Sequence, residues 1–228
     1  RKACRICVAY EGMERFFGND KLVFTGNPVR KDLLQAQHNK EEGIAFYGLD
    51  PHKKTVLVTG GSLGAGTINK AVRKSLEKMA TWKEVQVLWQ CGNHYYEDLN
   101  RALEGKLPSN VHFLAFLKRM DLAYACADVV VARAGASTIS ELCLLGKTAV
   151  LIPSPNVAED HQTKNAMALV NKGAAVMLKD AEAEEKFGQV LGDLLQNTEQ
   201  CAALKTNIAG LAIPDSDEKI AMEILKMI

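Results

Sequence analysis

Asp128-Val129-Val130-Val131-Ala132-Arg133-Ala134-Gly135-Ala136-Ser137-Thr138-Ile139-Ser140-Glu141 passes from an apolar run, through a turn of small residues, into a helical pattern that carries a carboxylate. The β-branched run reads as a buried strand and the pattern after it as a helix start. Such a turn aims backbone N–H groups and the positive end of the helix dipole at one point, which suits a phosphate. Glu141, one turn inside, is placed to accept hydrogen bonds from a sugar diol. A second unit lies upstream, where Thr55-Val56-Leu57-Val58-Thr59 runs into Gly60-Gly61-Ser62-Leu63-Gly64-Ala65-Gly66 and a helical stretch from Thr67. Two phosphate-type turns in one chain point to a diphosphate.

Neither turn is one of the two commoner nucleotide motifs. A dinucleotide fingerprint starting at Gly64 meets Asn69 where its last glycine belongs, and a P-loop starting at Gly61 reaches Gly66 but finds Thr67 in place of lysine. On its own, a glycine-rich turn between strand and helix is also a simple tight connection.

Further along, short β-branched runs alternate with amphipathic stretches. The strands expected are Ile6–Ala9, Leu22–Thr25, Thr55–Thr59, Val85–Gln90, Val111–Leu114, Asp128–Ala132, Thr148–Ile152 and Ala174–Leu178. The helices expected are Lys31–Gln37, Thr67–Ala80, Tyr95–Glu104, Asp121–Cys126, Thr138–Leu145, His161–Asn171 and Glu182–Gln196. Strands separated by helices make a parallel sheet covered on both faces, so the class is α/β, a Rossmann-like doubly wound sheet. Ligands of such sheets bind beyond the carboxyl ends of the strands, where the strand order reverses.

Composition narrows the function classes. With 228 residues, a net charge of +1 and 47% hydrophobic residues, the chain can bury a sizeable core. Lysine and glutamate alternate along the helices and leave no basic block for nucleic acid. No apolar run is long enough to span a bilayer, and the start lacks the h-region of a signal peptide, which reads as cytoplasmic material. The chain opens on Arg1 in mid-pattern and is read as a fragment of a longer product. Cys4 and Cys7, with no second pair beside them, read as reduced structural thiols rather than a zinc site. Asp215-Ser216-Asp217 has the DxD form of some metal sites but falls at a helix start, where acidic caps belong. No metal and no cofactor are expected. His38, His52, His94 and His112 lack a partner in the sequence and read as surface or packing residues.

Two further polar stretches flank the glycine turns. In Thr25-Gly26-Asn27-Pro28-Val29-Arg30 a rigid turn holds the Arg30 guanidinium in one place, suited to a phosphate or a planar base. After the strand ending at Ile152, the run Glu159-Asp160-His161-Gln162-Thr163-Lys164-Asn165 enters a helix, and Gln162 and Asn165 both donate and accept, as sugar hydroxyls require. Read without context, these are also a linker turn and a polar helix entrance.

Taken in order, Gly-Asn-Pro-Val-Arg, Gly-Gly-Ser-x-Gly-Ala, Ala-Asp-Val-Val-Val-x-Arg-x-Gly-Ala-x-Thr-x-Ser-Glu and His-Gln-x-x-Asn-Ala resemble the carboxy-terminal half of the MurG family, from Leu22 to about Pro214. That family is the bacterial N-acetylglucosaminyltransferase converting lipid I to lipid II in peptidoglycan synthesis. The resemblance implies a GT-B glycosyltransferase whose carboxy-terminal domain holds UDP-N-acetylglucosamine, a substrate rather than a cofactor. It implies that residues 1–24 are the end of the amino-terminal acceptor domain and the linker, 25–213 the UDP-sugar domain, and 214–228 a terminal helix packing on the amino-terminal domain.

By matching motif positions, the resemblance implies that Ser62 bonds a phosphate oxygen and that Ala136, Ser137, Thr138, Ile139 and Ser140 set the helix start against the α-phosphate. Glu141 would bind the ribose hydroxyls, Arg30 would lie over the uracil side, and Leu117 would offer backbone groups to the uracil edge. Gln162, with His161 beside it, would contact the sugar; some members carry Gln at the position of His161. The reaction implied is an inverting transfer to the C4 hydroxyl of lipid I, with the general base in the missing amino-terminal domain and no catalytic residue here. The full-length protein would then sit at the cytoplasmic face of the inner membrane. The fragment binds donor and transfers nothing alone, and Ile220, Ile224 and Met227 are left uncovered for a second copy. Two alternatives stay open, a UDP-N-acetylglucosamine 2-epimerase-like GT-B enzyme and a non-catalytic module binding NAD or a protein partner.

Overall fold

Alternate residues of a strand face opposite ways, and Lys54–Thr59 is apolar on both faces: Val56 and Val58 enter one buried cluster while Leu57 enters another. A strand of that kind belongs at the centre of a sheet with helices on each side. In the computed structural model, which describes residues 3–9, 13–35 and 39–227, it does. We name the strands β1 (Ile6–Val8), β2 (Leu22–Phe24), β3 (Lys54–Thr59), β4 (Val85–Gln90), β5 (Val111–Leu114), β6 (Val129–Ala132), β7 (Thr148–Leu151) and β8 (Val176–Met177). β3 to β8 form a six-stranded sheet in the order β5-β4-β3-β6-β7-β8, every pair parallel. β1 and β2 form a separate parallel pair.

The helices are α1 (Lys31–Gln35), α2 (Lys40–Tyr47), α3 (Gly66–Lys74), α4 (Leu76–Ala80), α5 (Asn93–Leu103), α6 (Met120–Cys126), α7 (Ala136–Leu144), α8 (His161–Val170), α9 (Asp180–Gln196), α10 (Thr198–Ala209) and α11 (Ser216–Leu225). On one sheet face, Ile68, Val72, Met79, Phe187 and Leu191 from α3, α4 and α9 pack with Val56, Val58, Val87 and Trp89. On the other, Tyr124, Ile139, Leu142, Ala166 and Leu169 from α6, α7 and α8 pack with Leu57, Leu88, Val130 and Leu151.

Each expected strand is present, within two residues at either end. Three helix expectations need correction. The stretch Thr67–Ala80 is two helices, because the chain leaves helical geometry at Ser75 (φ −94°, ψ 0°). α2 went unread because Gly43 interrupts a short, weakly patterned segment, yet that glycine is its contact: a Cβ there would lie 2.6 Å from the Leu122 carbonyl oxygen of α6. α10 also went unread, although the Asn197 side chain caps it by accepting the Gln200 N–H at 2.9 Å. The expected extension of α1 to Gln37, together with His38, lies outside the described residues.

α11 turns back onto the first segment. Glu223 is buried and lies 3.5 Å from Arg5, Lys31 reaches Asp217 at 3.4 Å, and a Cβ on Gly26 would meet Ser216 Oγ at 2.5 Å. Its inward face is Ser216, half-buried Ile220 and Glu223, so the expected apolar stripe is only partly right: Ile224 and Met227 are exposed with Met222 and Leu225. Among the described residues no helix is long and apolar enough to cross a membrane.

Candidate functional site

β3 and β6 are neighbours, Thr59 pairing with Ala132, although the chain between them builds β4 and β5 on the far side of β3. The strand order therefore reverses between these two strands and opens a crevice at their carboxyl ends. Both small-residue turns emerge there. After β3, Gly61 (φ +83°) and Gly64 (φ +78°) take left-handed geometry and Gly64 N–H bonds the Gly61 carbonyl at 3.0 Å. Gly64 admits no side chain, since a Cβ would fall 1.9 Å from the Cys91 carbonyl oxygen. Thr59 Oγ1 accepts the Gly61 N–H at 3.1 Å and donates to Gln90 Oε1 at 2.5 Å, tying the turn to the end of β4. Asn69, where a dinucleotide fingerprint has glycine, is buried between α3 and the sheet; it accepts the Trp89 indole N–H at 3.0 Å and donates to the Cys91 carbonyl at 2.9 Å. The missing glycine is thus a different solution to the helix–strand contact.

After β6 the turn ends on Gly135, the N-cap of α7, with φ −68° and ψ 148°. The amides of Ser137 and Thr138 lie in the first helical turn, beyond reach of any carbonyl of the same helix. Ser140 Oγ bonds back to the Ala136 carbonyl at 3.0 Å and accepts from Asn27 Nδ2 at 3.2 Å, so the linker after β2 is fastened to α7. Ile139 is buried beneath this turn. Glu141 is half-buried, and the hydroxyl of Tyr124 donates to its Oε2 at 2.9 Å. Burial pushes the Glu141 carboxyl above its ordinary range, opposed by the Tyr124 hydrogen bond and the field of Arg30 and aided by Asp32. Arg30 is exposed and 3.7 Å from Asp32.

The remaining expected residues fall along the same edge. Ser62 is exposed at the tip of the first turn. Leu117 is buried in a loop between β5 and α6 that is held at two points: Tyr47 of α2 donates to the Arg119 carbonyl at 2.8 Å, and Arg119 forks onto Asp121 at 2.6 to 3.0 Å. Gln162 accepts the Ser154 N–H at 2.8 Å, which leaves its side-chain NH2 as the part able to donate to a sugar hydroxyl. Asn165 is turned to the scaffold, donating to the Ala134 carbonyl at 3.1 Å. His161 is exposed with Nδ1 2.9 Å from the Ala158 carbonyl, and follows Glu159 and Asp160, both in left-handed backbone geometry. Arg133, missed from sequence as a site residue, bonds the Ile152 carbonyl at 3.1 Å, the Pro153 carbonyl at 3.3 Å and Asp180. Asp180 in turn accepts from Thr67 Oγ1 at 3.0 Å, so one half-buried ion pair joins the two turns.

A family model described as the glycosyltransferase family 28 C-terminal domain matches residues 55–220. The chain belongs to that family. Among its relatives are two proteins named UDP-N-acetylglucosamine–N-acetylmuramyl-(pentapeptide) pyrophosphoryl-undecaprenol N-acetylglucosamine transferase. The one from Parabacteroides distasonis is 54% identical over all of this chain and 62% of its own length; the one from Bacteroides fragilis is 51% identical over all of this chain and 60% of its own. The crystal structure of Acinetobacter baumannii MurG superposes with a TM-score of 0.75 at 28% identity, covering 98% of this chain and 61% of that one. The resemblance to the MurG family and the GT-B fold are thereby borne out. The chain spans about three fifths of the length of these curated relatives.

Other polar groups of this family-28 domain serve the scaffold. Asp217 pairs with Lys31, and Asp215 is the left-handed N-cap of α11 (φ 58°), so the DxD stretch belongs to the start of α11. Among the described residues no group of three or more His, Cys, Asp or Glu is placed to hold a metal. His52 and His94 are exposed; His112 is half-buried, where burial and Lys53 lower its pKa. Cys4 and Cys7 are exposed free thiols, whereas burial raises the thiols of Cys91, Cys126 and Cys143 to about 11.

Proposed function

We propose that this chain is the donor-binding part of an inverting glycosyltransferase that moves N-acetylglucosamine from UDP-N-acetylglucosamine to the C4 hydroxyl of lipid I, giving lipid II. The observation that carries the reading is the meeting of two small-residue turns and two helix starts at the β3/β6 crevice, with Glu141 at the second. The names printed for the relatives supply the donor and the acceptor. Ser62 and the start of α7, from Ala136 to Ser140, receive the diphosphate; Glu141 takes the ribose diol. Arg30 and the backbone at Leu117 hold the uracil, and Gln162 with His161 meets the sugar.

In the transfer, the acceptor oxygen forms its bond to the anomeric carbon as the bond to the diphosphate breaks, and UDP leaves with the electron pair. The proton of the hydroxyl goes to a base in the part of the longer protein outside this chain. Negative charge grows on the leaving diphosphate, and oriented amides at the two helix starts stabilise it without a metal. Residues up to 24 and beyond 213 belong with that outer part; a cavity of about 590 Å³ is lined by Phe24, Ser140, Cys143 and Leu211. The whole protein works at the cytoplasmic face of the membrane. Without its outer part, the exposed apolar side of α11 is left for a second copy.

Calorimetric titration with UDP-N-acetylglucosamine, UDP and NAD, in the presence of a chelator, tests the reading. Uridine-selective binding that Glu141→Ala weakens at least tenfold is expected, in line with about 1.5–3 kcal/mol for hydrogen bonds to a charged group. The chain alone should transfer no sugar to a lipid I analogue. A preference for NAD, or hydrolysis or epimerisation of the donor by the chain, would overturn it.

A further inference from the structure

Tyr124 is 1% exposed in the middle of α6, packed in the core cluster that also holds Leu57, Val130 and Ile139. Its one side-chain polar atom is spent on Glu141, 2.9 Å away on a different helix. A buried phenol must find a hydrogen-bond partner, but a backbone carbonyl would serve that need without involving a half-buried carboxylate. The pairing instead spends the phenol on the group assigned to the ribose. We propose that Tyr124 is a positioning residue for nucleotide binding: its hydroxyl donates to Oε2 of Glu141, fixes the carboxylate rotamer, and leaves Oε1 as the acceptor for a vicinal diol.

The inference rests on the assignment of Glu141 to the ribose. A carboxylate has four acceptor sites, so one hydrogen bond from Tyr124 orients it and leaves capacity for a bidentate ligand. The same bond stabilises the ionised form, which burial disfavours. The groups that act on this carboxylate are Tyr124 from α6, Arg30 from the linker after β2, and Asp32 from α1. Diol binding needs the carboxylate ionised, so affinity falls as pH drops through its pKa. Loss of the phenol raises that pKa, and the fall begins at higher pH.

The test is UDP affinity between pH 5 and 8 for the parent chain, Tyr124→Phe and Glu141→Gln. Tyr124→Phe keeps the ring and the core volume, and a carbon-13 titration of the Glu141 carboxyl reads its pKa without ligand. Expected for Tyr124→Phe are a raised carboxyl pKa and UDP binding weakened roughly three- to tenfold at the acid end of that range, with a smaller loss at the alkaline end. Affinities equal to the parent's at every pH, or a loss equal at every pH with the Glu141 carboxyl pKa unmoved, would overturn the positioning role. If Glu141→Gln loses UDP while Tyr124→Phe does not, only the present inference fails. If Glu141→Gln binds like the parent, the assignment of Glu141 fails and this inference with it.

Discussion

Lys147 shows how a single buried charge is carried by its surroundings. It enters β7 from the amino end, half-buried, and donates to the Ala127 carbonyl at 2.9 Å. Burial lowers its pKa from 10.5 to about 8, against the pull of Asp128, with Lys205 and Lys40 lowering it further. Below about pH 8 the amine is charged in both folded and unfolded chains, and the folded state bears the desolvation cost. Between pH 8 and 10.5 the unfolded chain binds more protons, so stability from this group rises with pH. Lys147→Met is therefore expected to flatten that rise in denaturant melts. At pH 7 it should gain about 1–2 kcal/mol, net of the carbonyl left without its donor. The ammonium and its carbonyl lie well away in sequence, 20 residues apart, and nothing in a lone lysine after Gly146 announces the pairing.

The elements were mostly legible, because strands buried on both faces are written as unbroken β-branched runs and tight turns as glycine. β3, β6 and the turns after them were read from such signals. α2 was not, since its contact with α6 depends on what Gly43 lacks. Alanine is ordinarily the better helix former by about 1 kcal/mol. In Gly43→Ala, however, the added carbon would meet the Leu122 carbonyl oxygen at 2.6 Å. The expected outcome is a net loss of about 1–3 kcal/mol, measured as a lower denaturant midpoint. Because Tyr47 of α2 holds the Arg119 carbonyl, the loop that carries Leu117 should loosen with it, visible as faster amide exchange over residues 115–119.

At the scale of the whole molecule, α11 offers Met222, Ile224, Leu225 and Met227 to solvent at half exposure or more, beside a chain that spans three fifths of its relatives. Burying such a face is favourable, so the 228-residue chain is expected to self-associate, with Ile224→Glu returning it to a monomer in sedimentation velocity. A parent chain that stays monomeric at high concentration would refute this. The sequence by itself determined the alternation of strands and helices and the two small-residue turns, because each rests on periodicity or on turn chemistry within a few residues, and the order of its four motifs carried the resemblance to the family. Only the tertiary structure decided that β3 lies against β6, and with it that both turns share one crevice. The same placement brought Tyr124 to Glu141, Arg133 to Asp180 and Asn69 to Trp89. Those partners are 17, 47 and 20 residues apart, and what joins them is strand order and register, long-range quantities that no local pattern encodes.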